Sequence, residues 1–348
     1  MATSAAAVGK QGATDRLDRV LTVAVWTVGA ATLAFSLYFA YSVYAVRQAE
    51  REASPAARAV AMVSAVVDQS PNDAGVRVRL AETLFSAGLR RQALEQLKIA
   101  LELDPENVPA YLDFGIIHLA EGNLAESERY FLRVIELTEA YQYKDINDKR
   151  EKAFFYLGAV ASADERYEDA VGYYKAALRI RRDASDTYLG LGKAFLGLGD
   201  SDQALEQLRI AVRFDPGYAE AQYEIGLIYL DREDLVNAAW HLRAAVDAAE
   251  DSELAHETLE SVGKYEDFFA DAQEAYDAGD FAAARDAAAI SRALAPKSAE
   301  AVMLHAMALE KLGKKEDALT AYRDALDIEP DNAEAKEGVT RLTAKKKK

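Results

Sequence analysis

Cysteine is absent from the 348 residues. Disulfides, thiolate metal sites and a cysteine nucleophile are thereby excluded, while the compartment stays open. Proline and glycine are sparse, seven and nineteen residues, too few for collagen-like or linker material. The four histidines, His118, His241, His256 and His305, are scattered, with none three or four residues from another. The stretch "HETLE" at 256–260 carries Glu260 where a zinc-protease helix needs its second histidine. A glycine-rich phosphate loop and a G-x-S-x-G turn are missing. "DINDK" at 145–149 lacks the glycine and closing glutamate of a calcium loop. No catalytic, cofactor-binding or metal-binding set is assigned, and an enzyme is not expected.

Positive charge is the minority sign: 41 Lys and Arg stand against 58 Asp and Glu, for a net −17. Residues 1–46 carry net +1, and residues 47–344, without the final lysines, carry −22. A body of that sign repels phosphate, so nucleic acid is excluded as a general partner. Hydrophobic residues make up 51%, too many for a disordered chain, and the abundance of alanine favours helix.

Long uncharged runs are lacking, with one exception. Residues 20–46, "VLTVAVWTVGAATLAFSLYFAYSVYAV", contain no charge. As a helix they would span about 40 Å, more than the ~30 Å hydrocarbon core of a bilayer. A cleavable signal has a shorter apolar core and a small-residue cleavage site. Here Tyr38, Tyr41 and Tyr44 lead straight into Arg47, a pattern suited to the membrane–water interface. The reading is an uncleaved single-pass anchor at 20–46 behind a flank at 1–19. Lys10, Arg16 and Arg19 face Arg47, Arg51 and Arg58, so the positive-inside rule does not fix an orientation. A short flank ahead of a large domain has the form of a signal anchor, which places that domain outside the cytoplasm. The pair Ala30/Ala34 leaves a homo-oligomer open through close anchor packing.

Beyond the anchor the chain repeats itself. "QALEQLKIALELDP" at 92–105 returns as "QALEQLRIAVRFDP" at 203–216, ten of fourteen positions identical. Pro71 to Pro105 is 34 residues and Pro296 to Pro330 is again 34. Pro105 to Pro216 is 111, three such periods plus nine, and Pro216 to Pro296 is 80, two periods plus twelve. Leu80-Ala81, Gly88, Ala93 and Pro105 mark the first unit. Leu191-Gly192, Gly199, Ala204, Ala211 and Pro216 mark the fourth, and Ala306, Gly313, Ala318, Tyr322 and Pro330 the last. These residues resemble the tetratricopeptide repeat (TPR), a 34-residue helix–turn–helix unit.

The resemblance implies an all-α TPR α-solenoid, a right-handed superhelix of helix–turn–helix repeats, with one N-terminal transmembrane helix. Seven units are expected: five over 74–252, with an insertion at 142–150, and two over 265–332. A helical spacer lies at 253–264, where a bend or a division is expected. A half-repeat at 54–71 caps one end, with Ser54 as N-cap and Pro55 at the first helical position. A polar helix at 333–344 covers the other, ahead of a lysine tail at 345–348. The second unit departs from the pattern with Ser127 for alanine and Glu139 for proline.

In such arrays the first helices line a groove, chiefly through positions 2, 5, 9, 12 and 13. Those positions give Leu112, Ile116 and Leu119, then Phe155, then Leu189, Lys193 and Leu196. Tyr223, Leu227 and Leu230 follow, then Phe269 and Tyr276, and in the last unit Met303 and Met307. The Lys and Asn clamp of chaperone-tail-binding members is missing, since those positions hold Val78/Glu82, Leu112/Ile116, Phe155/Ala159 and Leu189/Lys193. An apolar stripe flanked by Glu82, Asp186, Glu220, Asp231 and Glu266 suits an apolar or amphipathic segment carrying lysine or arginine. The resemblance to bacterial inner-membrane TPR proteins implies a protein or peptide partner and a role in complex assembly or targeting. A structural subunit of a larger assembly and a cytosol-facing import receptor are the alternatives.

Overall fold

A computed structural model describes Phe39 and residues 54–344. Apart from Phe39, the expected anchor at 20–46 lies outside the described residues, as do the flank at 1–19 and the tail at 345–348. Every regular element among the described residues is helical. None of these helices is long and apolar enough to cross a membrane. The chain divides into two compact units, residues 1–110 and 111–348.

The first unit holds α1 (Pro55–Gln69), α2 (Ala74–Ser86) and α3 (Arg90–Leu103). The Ser54 hydroxyl accepts a hydrogen bond from the Ala57 amide at 3.1 Å and fixes the start of α1. α1 packs on α2, and the residues it shields, Val60, Val63, Ser64 and Val67, recur at helical spacing. Ala81 and Leu84 of α2 and Ala93 and Leu97 of α3 are buried between that pair. Gly88 joins the two helices at φ 78°, in the left-handed region.

α4 (Val108–Ala120) begins at the end of the first unit, and the second unit continues with α5 (Leu124–Glu139). Next come the pairs α6 (Asp148–Ala163) and α7 (Tyr167–Ile180), then α8 (Ser185–Gly197) and α9 (Ser201–Phe214). α10 (Ala219–Asp231) and α11 (Leu235–Ala248) precede a short α12 (Glu253–Ser261). α13 (Tyr265–Asp277) pairs with α14 (Phe281–Leu294), α15 (Ala299–Lys311) pairs with α16 (Lys315–Ile328), and α17 (Ala333–Thr343) ends the unit.

Each pair closes because a small residue in its first helix admits a large one from its second. A Cβ on Gly158 would lie 2.7 Å from the Tyr174 ring, so only glycine permits that approach. Phe131 occupies the equivalent place against Gly115. Ser127 is accommodated there, buried, because its hydroxyl donates to the Gly115 carbonyl at 2.8 Å. In the third and fifth repeats the left-handed turn position is held by Glu165 and Glu233, both at φ 57°.

The insertion forms a 3₁₀ turn (Lys144–Ile146) against α7 and the first turn of α6. Arg150 donates to the Ile135 carbonyl at 2.9 Å and to the Thr138 hydroxyl at 3.2 Å, tying the first turn of α6 to the last turns of α5 where proline is missing. In the 253–264 spacer, α12 packs on α11 through Ala255, Leu259 and Val262. α11 also packs directly on α14. Arg243 of α11 reaches across to the end of α14, donating to the carbonyls of Ala293 at 2.6 Å and Leu294 at 3.0 Å.

Candidate partner-binding groove

The groove positions lie on the first helices α4, α6, α8, α10 and α13. Leu112 and Leu189 are each only 5% exposed and belong to the packing of the array. Ile116, Leu119, Phe155, Leu196, Tyr223, Leu227, Leu230, Phe269 and Tyr276 are half-buried, and Lys193 is exposed. Phe155, Leu189, Leu196 and Leu230 join one apolar cluster with Leu191, Leu205 and Ile225. Tyr223 and Leu230 border a second cluster around Leu242 and Leu259. Phe269 and Tyr276 pack on Ala272, Ala288 and Leu304 beside Met307. The stripe is therefore gathered in successive stretches, each resting on the core beneath it.

Several aromatic members are oriented by neighbours. Phe155 meets Tyr156 and Tyr174 edge-on, with ring centroids 5.2 and 5.9 Å apart. Tyr223 shares a hydrogen bond with Thr258 of the spacer helix at 3.2 Å. Phe269 stacks on Tyr265 at 5.7 Å, and Tyr276 meets Phe281 edge-on at 5.4 Å. Rings held in this way lose little freedom when a ligand covers them.

The polar members also form a pattern. The Lys193 ammonium lies 2.7 Å from Glu220 and 3.7 Å from Glu224, linking α8 to α10. The hydrogen bond it donates to Glu220 raises its pKa. Burial pushes the Glu224 carboxyl above its ordinary value, against the pull of Lys193. Glu151 of α6 is 3% exposed, and burial raises its pKa too. Arg181 Nη2 stands 3.3 Å from Glu151 Oε1, an ion pair without hydrogen-bond alignment, and 3.3 Å from Asp186. Glu151, Arg181 and Glu224 were not legible as groove neighbours. The template reads positions 2, 5, 9, 12 and 13, whereas Glu151 sits at position 1 and Glu224 at position 6. The available signal was the Glu220/Glu224 spacing, which puts both carboxylates on one helix face.

No group of His, Cys, Asp and Glu among the described residues is arranged to hold a metal ion. His305 is the one strongly shifted histidine among them: burial, then Arg292 and Arg285, lower its pKa to about 4. It lines a cleft of about 660 Å³ between α11, α14 and α15, together with the exposed Trp240 and Lys314 and the half-buried Arg285.

The sequence model of the tetratricopeptide repeat matches residues 78–144, 189–253 and 269–333, more than half of the chain. The chain belongs to the tetratricopeptide repeat family, and its architecture is an all-α TPR solenoid. Its repeats make it a protein-interaction scaffold in class. It is 24% identical over 157 residues to the fruit-fly protein O-mannosyl-transferase Tmtc3, covering 45% of this chain and 16% of that protein. With the TPR repeat-containing protein YpiA of Bacillus subtilis it shares 24% over 200 residues, 57% of this chain and 42% of YpiA. With rat DnaJ homolog subfamily C member 3 it shares 23% over 302 residues, 80% of this chain and 57% of that one. The chain thus spans less than two thirds of the length of each of these curated relatives. Among solved structures, YrrB, described as a TPR protein with an unusual peptide-binding site, aligns at 24% identity and a TM-score of 0.43. That alignment covers 56% of this chain and 96% of YrrB.

Proposed function

We propose that the chain is a membrane-anchored scaffold that takes up a segment of a partner protein along its first-helix face. The segment is apolar or amphipathic and carries lysine or arginine, and its capture assists the assembly or targeting of a membrane or envelope complex. One observation carries the reading. Half-exposed apolar side chains recur along the first helices, Ile116 on α4, Leu196 on α8, Leu227 on α10 and Tyr276 on α13, and exposed carboxylates stand on two of the same helices at Asp231 and Glu266. An amphipathic helix docks on such a surface with its apolar face inward. Residues 20–46 provide the bilayer attachment, with the array on the extracytoplasmic side of a bacterial inner membrane.

The test is photo-crosslinking in the native cell from a reactive residue at position 227, compared with the same residue at the exposed Gln203 of α9. An adduct from 227 and none from 203 is expected, lost in an Ile116→Asp variant whose thermal melt is retained. Adducts from 203 alone would sink the reading. A second reading, a permanent subunit bound through the second helices, draws on Trp240, which is 55% exposed beside the cleft with His305. A stoichiometric complex that survives detergent extraction and the Ile116→Asp change is the outcome it requires.

A further inference from the structure

The two end helices differ in surface chemistry. α17 shields Ala335 and Gly338 and turns Glu334, Lys336, Glu337 and Arg341 outward. That is the polar sheath an end unit of a repeat array needs to remain in water. α1 has no such sheath. Between Ala59 and Val66 it has no charged residue, and its only hydroxyl, on Ser64, lies in the half-buried stripe that packs on α2. The exposed side of that stretch is Ala59, Ala61, Met62, Ala65 and Val66, with Met62 72% and Val66 44% exposed. The contrast holds within the first unit as well, where α3 exposes Arg91, Glu95, Lys98 and Glu102.

We infer that α1 lies on the bilayer surface, with Met62 and Val66 set at the boundary between headgroups and acyl chains. The inference rests on residues 20–46 being the membrane anchor. Seven residues, 47–53, separate that run from Ser54. Fully extended they reach at most about 25 Å, which keeps α1 beside the membrane. α1 is about 22 Å long, so its uncharged middle can lie flat in the interface. Arg58, exposed near its first turn, has a side chain long enough to reach lipid phosphate. A second copy is a poorer cover, because five side chains, three of them alanine, fall far short of the roughly 800 Å² per partner that a stable association buries.

The absence of native cysteine makes the test direct. Full-length protein carrying Met62→Cys or, as a reference, Glu95→Cys is spin-labelled and reconstituted into vesicles containing phosphatidylglycerol. Collision rates with oxygen and with a water-soluble nickel chelate are then compared. The label at 62 is expected to favour oxygen at least several-fold over the label at 95. If the protein floats with the vesicles while 62 meets nickel as readily as 95, the inference fails and the anchor stands. Dipolar broadening between labels at 62 would show a second copy as the cover and overturn it too. Failure to float at all would remove the anchor, and the inference with it.

Discussion

At the residue scale, Glu165 and Glu233 stand where other turns have glycine, at the same left-handed backbone angle. A residue with a Cβ gives up roughly 1–2 kcal/mol there. Glu165→Gly and Glu233→Gly are each expected to stabilise the protein by about 0.5–1 kcal/mol once the greater chain entropy of glycine is subtracted. Gly199→Ala, at φ 75°, should shift it the other way, and urea midpoints check all three. His305 adds a pH dependence. Its folded pKa of about 4 lies below the ordinary 6.5, so the neutral ring is the form the fold accepts. The stability tied to it is fully present above pH 6.5 and falls as the pH drops towards 4, by at most about 3 kcal/mol. His305→Gln should flatten the slope of stability against pH across that window, and the His305 imidazole signal should titrate near 4.

At the scale of elements, the helix pairs were legible because their signals are local: Leu80-Ala81, Gly88 and Pro105 each state a requirement of one turn or one contact. The template names groove positions, but it does not give their exposure. Leu112 and Leu189 occupy the same template position as Tyr223 and Phe269, yet they are buried and the others half-exposed. How far a neighbouring helix leans over a position is a property of packing, which spacing along one helix does not encode. The spacer shows the same limit. Its helical character was readable, but the direct packing of α11 on α14 and the capping of α14 by Arg243 join residues fifty apart in sequence. Arg243→Ala should cost about 1.5–3 kcal/mol, since it strips charged donors from two carbonyls. Hydrogen exchange in the last turn of α14 should quicken more than in its first.

Across the whole molecule, stacked repeats hold themselves together through neighbours. Leu208 is fully buried against Gly192, and Leu208→Ala should cost about 2–5 kcal/mol. In a compact globule such a loss spreads everywhere. In this second unit it should speed amide exchange through α8, α9 and α10 while leaving α15 to α17 nearly unchanged, as exchange mass spectrometry can resolve. Uniform acceleration would mean one cooperative block in place of a chain of neighbours. The seat between Glu220 and Glu224 bears on selectivity. Because Lys193 already occupies it, a visiting ammonium group trades like for like and adds no new charge pair. Discrimination at that point then falls to shape, and ionic strength should matter less to capture than the acidity of the surface suggests.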